Sequence, residues 1–266
     1  MKPGWRPTPL VLGSAGVHAA ALVALALAPG QWPWIAGAVF ANHVGLATAS
    51  MTPRSRLLGP NLSRLPAEAA ARGEVALTLD DGPDPEVTPR VLDLLDRHGA
   101  RATFFCIGRR AAACPEIVAE TVRRGHRVEN HTWSHPNSFA CYPPGAMRRE
   151  MLRAQEVLER TAGTAPRWFR APAGMRNLFL DPLLHTAGLA LVSWTRRGFD
   201  TVSREPALVA RRLLRGLAAG DVLLLHDGSA LRGGGNPPVL EVLPRVLDAL
   251  AERGLRAVPF EGPSPL

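Results

Sequence analysis

From residue 74 to the C-terminus, short apolar runs alternate with longer amphipathic ones. The runs at 75–79, 102–106, 127–130, 168–170, 189–194, 222–225 and 257–260 have strand length and predict strands. Between them, helix-length amphipathic segments lie near 87–98, 115–124, 145–161, 180–187, 206–219 and 238–253. Alternation of this kind predicts parallel strands joined by right-handed crossovers, in an open sheet or a barrel. Seven strands fall short of the eight units of a complete barrel. The sequence shows no internal repeat and no low-complexity tract.

The first 52 residues follow another rule. Residues 8–28 carry no charge, and at about 1.5 Å per residue such a helix crosses a bilayer core of about 30 Å. A second uncharged stretch, 32–51, follows at once, interrupted by Asn42 and His43 and rich in Ala and Gly. Trp32 and Trp34 stand in the turn between the two, where an aromatic belt would lie. Lys2 and Arg6 precede the first stretch, and Arg54, Arg56 and Arg64 follow the second. Positive charge at both outer ends predicts a membrane hairpin with both ends cytoplasmic. The alternative is export through a secretory signal or single anchor, with Ala26-Leu27-Ala28 as a small-residue cleavage site. A soluble helical pair ranks behind both. The organisation expected is therefore a hairpin over 1–52, a linker over 53–73 and a catalytic domain over 74–266.

Charge refines this picture. The formal net charge is +8, but residues 1–73 hold six basic side chains against one acidic, and 74–266 hold 25 against 22. The excess flanks the apolar region instead of forming a stripe on the domain, and aromatics do not interleave with the arginine pairs. Nucleic acid is not an expected partner. Thirty of the 31 basic residues are arginine, and the one lysine is Lys2. That excludes Schiff-base and phosphate-loop lysine chemistry within the domain. Three cysteines, Cys106, Cys114 and Cys141, offer neither finger spacing nor an even framework, which suits a reducing compartment, with Cys114–Cys141 pairing the alternative in an oxidising one. No obligate protein partner is read from the sequence.

The unusual polar residues collect where the strands end, the catalytic rim of a parallel barrel. The first strand runs into Asp80-Asp81-Gly82-Pro83, the third into Asn130-His131-Thr132-Trp133-Ser134-His135, and the fourth into Arg170-Ala171-Pro172. The fifth ends at Trp194, shortly before Asp200, and the sixth in His226-Asp227. Asp81, His131 and His135 supply a carboxylate and two imidazoles, a set suited to zinc or another divalent first-row ion. The i, i+4 spacing of the histidines predicts a shared helical turn. Asp-Asp-Gly-Pro alone is also ordinary turn chemistry. Beside a metal-binding Asp81, Asp80 is the candidate general base, held by a charge-assisted bond from Arg170. His226 leaves an apolar strand at the mouth of the site and, protonated, would donate to a leaving amine, with Asp200 keeping it charged. Trp194 and Leu224 are candidates to line the pocket for a small acyl group, or equally to fill core.

These residues together resemble the polysaccharide deacetylase family with the NodB homology domain, carbohydrate esterase family 4, over about residues 74–260. Leu77–Pro83 resembles its first motif, with Asp80 as base and Asp81 as metal ligand. His131–Pro136 resembles the second, which supplies both metal histidines. Arg170-Ala171-Pro172-Ala173-Gly174 is similar to the third, Trp194 and Asp200 to the fourth, and Leu224-Leu225-His226-Asp227 to the fifth. The resemblance implies a distorted (β/α)7 barrel and a divalent metal, usually zinc. It implies hydrolysis of an N-acyl group, commonly acetyl, from an amino sugar, with Pro172, Ala173, Trp194 and Leu224 against the substrate. A backbone N–H near Ala173 would help bind the oxyanion. Two departures stand out. Arg197 and Thr201 occupy positions where many members carry a second aspartate and a tryptophan, and small Ala173 stands where an aromatic is frequent.

The expected substrate is thus an N-acylated amino sugar in a glycan or a lipid-linked saccharide. A cytoplasmic domain on a membrane hairpin favours the lipid-linked form, and an exported domain favours polysaccharide. Deformylation or O-acyl ester hydrolysis on a lipid-linked sugar would use the same residues. A non-catalytic, membrane-tethered carbohydrate-binding protein is the alternative of another class, and the filled proton-transfer positions speak against it.

Overall fold

A computed structural model describes residues 4–203, 205–228 and 237–263, so Lys2 lies outside the described residues. Two helices, α1 (Pro9–Leu27) and α2 (Trp32–Met51), form a hairpin joined by a 3-10 turn at Pro29–Gln31. Thr8 caps α1, accepting from the Val11 N–H at 3.4 Å, and Pro9 opens its first turn. The polar side chains of the pair face each other. Asn42 Nδ2 donates to Ser14 Oγ at 2.9 Å, and the His18 and His43 rings meet edge to face at 5.1 Å. Leu12, Leu22, Val23, Leu25, Leu27, Phe40 and Val44 are exposed. Among the described residues, α1 alone is long and apolar enough to cross a membrane by length and composition, with a mean hydropathy of 2.1.

The rest is a curled parallel sheet wrapped by helices. Its strands are β1 (Glu74–Asp80), β2 (Thr103–Cys106), β3 (Arg127–Asn130), β4 (Trp168–Phe169), β5 (Ala190–Leu191), β6 (Arg196–Arg197), β7 (Val222–His226) and β8 (Arg256–Val258). The order is β5-β4-β3-β2-β1-β7-β6, with β8 beside the start of β1. Helices α3 (Ala67–Ala71), α4 (Val87–Arg97), α5 (Gly108–Ala113), α6 (Pro115–Arg123), α7 (Pro144–Ala162), α8 (Leu180–Ala187), α9 (Pro206–Leu214) and α10 (Val239–Glu252) complete the domain. Pro115 and Pro144 open α6 and α7, and left-handed Gly163 and Gly188 close α7 and α8.

Strand alternation decides where the chemistry points. Leu77, Leu79, Phe104, Leu223 and Leu225 pack in one cluster with the outer helices. Ala76, Phe105, Val222 and Leu224 belong to a second cluster with Trp168, Trp194 and Phe260 inside the barrel. A period of two then puts Asp80 and His226 on the inner face at the ends of β1 and β7, directly paired in register.

The structure departs from the sequence reading at several elements. The run 189–194 is a two-residue strand whose continuation pairs elsewhere: Leu62 N–H donates to the Leu191 carbonyl and Ser193 N–H to the Leu62 carbonyl. The extra strand β6 is a pair of arginines that no apolar run could have announced. Helix α9 stops at Leu214, where Arg215 turns extended and Gly216 adopts φ +65°. Residues 53–73, expected as a linker, lie against the barrel with Leu58, Leu65 and Ala69 buried. Isolated bridges join Leu62 to Val192, just after β5, and Arg64 to Asp221, just before β7. Cys106, Cys114 and Cys141 are free thiols.

Candidate active site

Asp80, at the end of β1, is 3% exposed. Arg170, at the end of β4 and fully buried, donates from one guanidinium nitrogen to Asp80 Oδ1 at 2.7 Å and to Thr78 Oγ1 at 2.8 Å. Its other nitrogens reach the Val192 and Ser193 carbonyls at 3.3 Å, and its guanidinium lies 4.0 Å from the centre of the Phe105 ring. A buried cation needs this many partners. Burial pushes the Arg170 pKa down while Asp80 pushes it up. The Asp80 carboxylate is therefore fixed on one oxygen, and its Oδ2 lies 3.8 Å from His131 Nε2.

Asp81, His131 and His135 converge beside it. Asp81 Oδ1 is 3.4 Å from His131 Nε2 and 3.3 Å from His135 Nε2, and the three donor atoms lie within 4.8 Å of one another. The histidines do not share a helical turn. Residues 131–135 form a loop after β3, in which Thr132 (φ +66°) and His135 (φ +54°) are left-handed. The loop is held from beneath: Thr132 N–H donates to Asn130 Oδ1, and both the N–H and Oγ of Ser134 donate to the Glu150 carboxylate at 2.8 and 2.9 Å. His131 Nδ1–H donates to the Arg170 carbonyl at 2.7 Å, which turns Nε2 towards Asp81. Two imidazole nitrogens and a carboxylate oxygen, with one ring oriented by a backbone acceptor, fit a divalent metal. Burial pushes the Asp81 pKa up, but the hydrogen bond and charge of His131, with His226 and His135, hold it well below the usual carboxylate range. Burial lowers the His135 pKa.

Across the cavity, His226 Nδ1 meets Asp200 Oδ1 at 2.9 Å, and the His226 backbone N–H donates to Asp200 Oδ2 at 2.8 Å. Burial opposes the charged ring, but the Asp200 bond and charge outweigh it, and the pKa rises to about 9. Asp200 thus orients the ring and favours its charged form.

These groups surround a cavity of about 230 Å³ lined by Asp80, Asp81, His131, His135, Ala173, Trp194, Leu224 and His226 among others. Of the residues expected against substrate, Ala173, Trp194 and Leu224 line it, while Pro172 is buried and does not. Four lining residues were not among the expected site residues: Asn137, Gly174, Arg197 and Thr201. Arg197 and Thr201 were noted as departures, and backbone geometry brings in the other two. Thr78, which shares Arg170 with Asp80, also escaped notice, because a threonine in a strand is unremarkable. Gly174 (φ +72°) is required where it stands, since a Cβ there would fall 2.6 Å from the Trp194 ring and 2.7 Å from Pro53. The five non-glycine residues with positive φ among the described residues are Asp81, Thr132, His135, Ala173 and Phe199, all at or beside this cavity. Such conformations cost about 1–3 kcal/mol each and cluster where function demands them.

With this geometry in view, the comparisons are specific. A family model described as polysaccharide deacetylase matches residues 67–192. A chitooligosaccharide deacetylase of Bradyrhizobium sp. is 34% identical over 194 residues, 70% of this chain and 88% of its own length. The chain belongs to the polysaccharide deacetylase family. A peptidoglycan-N-acetylglucosamine deacetylase of Bacillus cereus is also 34% identical, over 192 residues, covering 70% of this chain and 66% of that protein. Among solved structures, the Bc1960 peptidoglycan N-acetylglucosamine deacetylase superposes with a TM-score of 0.68 at 32% identity, over 75% of this chain and 90% of its own. The curled parallel sheet and its helices are the NodB-type (β/α)7 barrel, here preceded by an apolar helix. The N-acetylglucosamine deacetylases among these relatives are, by that name, hydrolases of amide carbon–nitrogen bonds. The relatives matched here are deacetylases named for peptidoglycan N-acetylglucosamine or for chitooligosaccharides.

Proposed function

We propose that this polysaccharide deacetylase is a metal-dependent N-deacylase that removes an N-acyl group, acetyl in the first place, from an amino sugar. The observation that carries this reading is a pair of proton-transfer groups of opposite character facing one cavity. Asp80 is fixed by a buried arginine, and His226 is charged by Asp200. A base and an acid held apart in this way meet the two demands of amide hydrolysis.

Asp81, His131 and His135 would hold the divalent cation, zinc being the first candidate for such a set. Bound there, the cation supplies Lewis-acid polarisation of water and of the acyl carbonyl. Asp80 accepts the proton of the attacking water, while Arg170 keeps its carboxylate aimed. Ala173, left-handed at the cavity wall, is placed where its backbone N–H would bind the oxygen that gains charge. His226 then gives its proton to the departing sugar nitrogen, which leaves as an amine. Trp194 and Leu224 form the apolar wall against the acyl methyl.

The hairpin over 1–52 anchors the domain (74–266) in the inner membrane, facing the cytoplasm, with 53–73 packed between the two. Its exposed apolar faces, inward polar pairs and flanking arginines support this. A cytoplasmic catalytic domain meets lipid-linked saccharides before it meets finished wall polymer.

The deciding experiment compares the full chain with Asp80→Asn. The variant is expected to bind zinc as the wild type does and to lose turnover of an N-acetylated amino sugar by about 10²–10⁴-fold, the usual worth of a general base. Wild-type protein that binds zinc and sugar but releases no acyl group would favour the carbohydrate-binding alternative.

A further inference from the structure

The base of the apolar hairpin is built into the rim of the cavity. Helix α2 ends at Met51, and Pro53 is already close to Gly174, which lines the cavity beside Trp194. The Ser50 carbonyl accepts from the Arg176 backbone N–H at 3.2 Å, and the Arg176 guanidinium spans the carbonyls of Ser55, Gly59 and Pro60. Arg54 reaches the Thr195 carbonyl at 3.4 Å, next to Trp194. At the start of α1, Trp5 Nε1 donates to Asp181 Oδ2 at 2.6 Å, and Thr8 Oγ1 donates to the Leu57 carbonyl at 2.7 Å. The hairpin is thus tied to the barrel at the catalytic end of the strands. Above those ties it stands clear, with Ser14 the one buried residue of α1 and Ala49 that of α2.

The same end of the barrel carries exposed apolar side chains: Phe199 at 46% and Val202 at 76% lie next to the lining residue Thr201, and Leu57 at 58% and Phe179 at 40% lie by the hairpin ties. Arg6, Arg54 and Arg56 are exposed at the hairpin base among them. Apolar side chains ringed by arginines suit the headgroup boundary of an anionic bilayer. Helices of 19 and 20 residues reach about 28–30 Å, which places Trp32 and Trp34 at the far interface when the base lies at the near one.

We infer that the hairpin holds the cavity mouth against the membrane surface, so that the site takes its amino sugar from a lipid embedded in the same bilayer. This rests on the N-deacylase reading and the membrane hairpin, and it adds an orientation and a substrate class. Sugars are joined to membrane lipids through phosphate in many such carriers, and the cavity offers a matching cation. Arg197 lines it between Trp194 and Phe199, and its Nε has no hydrogen-bond partner in the structure. The distinguishing residue of the fourth motif would then meet the phosphate that many soluble glycans lack.

The test has a geometric and a catalytic arm, both on the full chain in phosphatidylethanolamine–phosphatidylglycerol vesicles. With Cys114 and Cys141 changed to Ser, fluorophores are placed by Val202→Cys on the rim and by Glu252→Cys at the opposite end of the barrel. Headgroup spin-labelled lipid should quench the rim label several-fold more than the distal one. Equal quenching, or none at the rim, would overturn the proposal. In the second arm, N-acetylglucosamine on a bilayer-held lipid phosphate should be deacetylated several-fold faster than a free chitooligosaccharide at equal concentration. Val202→Glu should lower the first rate and leave the second unchanged. Equal rates on both substrates would overturn the proposal while upholding the N-deacylase. Loss of both rates with rim quenching intact would count against the deacylase instead and leave the orientation standing.

Discussion

Asp80 and His226 are register partners on adjacent strands, yet each is bound by a different partner, a buried arginine for the first and a buried aspartate for the second. His226 is held charged up to about pH 9, so activity should be retained through neutrality and fall as pH rises through that value. Asp200→Asn removes the partner that raises this pKa, and the alkaline limb of kcat should move to lower pH. A limb that stays in place would show that Asp200 does not charge the acid. The same shift has a stability sign. A raised histidine pKa stabilises the fold fully below its unfolded value of about 6.5. That contribution is lost as pH climbs through about 9, and thermal melts should weaken over this window.

At the scale of elements, the support beneath the candidate metal loop is as informative as the candidate ligands. Glu150, from α7, takes two hydrogen bonds from Ser134 and so fixes the loop that carries His135. Glu150→Ala should weaken zinc binding by about 10–100-fold without touching a ligand, the usual effect of losing an outer partner. Calorimetry on metal-free protein would measure it. The segment 61–65 makes a second case. A flexible tether would tolerate Leu65→Ala, whereas a buried side chain in the barrel interior predicts a loss of about 2–4 kcal/mol in unfolding free energy. These elements also show what a single sequence discloses. Strands with clean apolar runs and amphipathic helices were legible, because period and length carry them. Strand β6, the bridge from Leu62 and the left-handed loop of His135 were not, because tertiary neighbours impose them against local preference. Asp80, Asp81, His131, His135, Arg170, Asp200 and His226 were legible as a group because their residue types make sense together at strand ends. Beyond Asp80, the partners of Arg170 were not, since Thr78 and two carbonyls leave no mark in a sequence.

For the whole molecule, apolar hairpin and catalytic rim form one construction. The basic residues at both ends of the hairpin predict that a compartment-sensitive reporter fused after Leu266 reads cytoplasmic and that the N-terminal segment is retained. A periplasmic reading would redirect the search to exported polysaccharide and remove the reason for a lipid-linked substrate. The chemistry itself is tested most directly by counting products. Full-length protein would be stripped of metal, reloaded with zinc in vesicles and given an N-acetylated amino sugar carried on a lipid phosphate. Acetate and free amine are expected in equal amounts, with turnover absent from the stripped protein and lowered by about 10²–10⁴-fold in Asp80→Asn. Release of acetate without a matching amine, or turnover undiminished by metal removal, would contradict this chemistry.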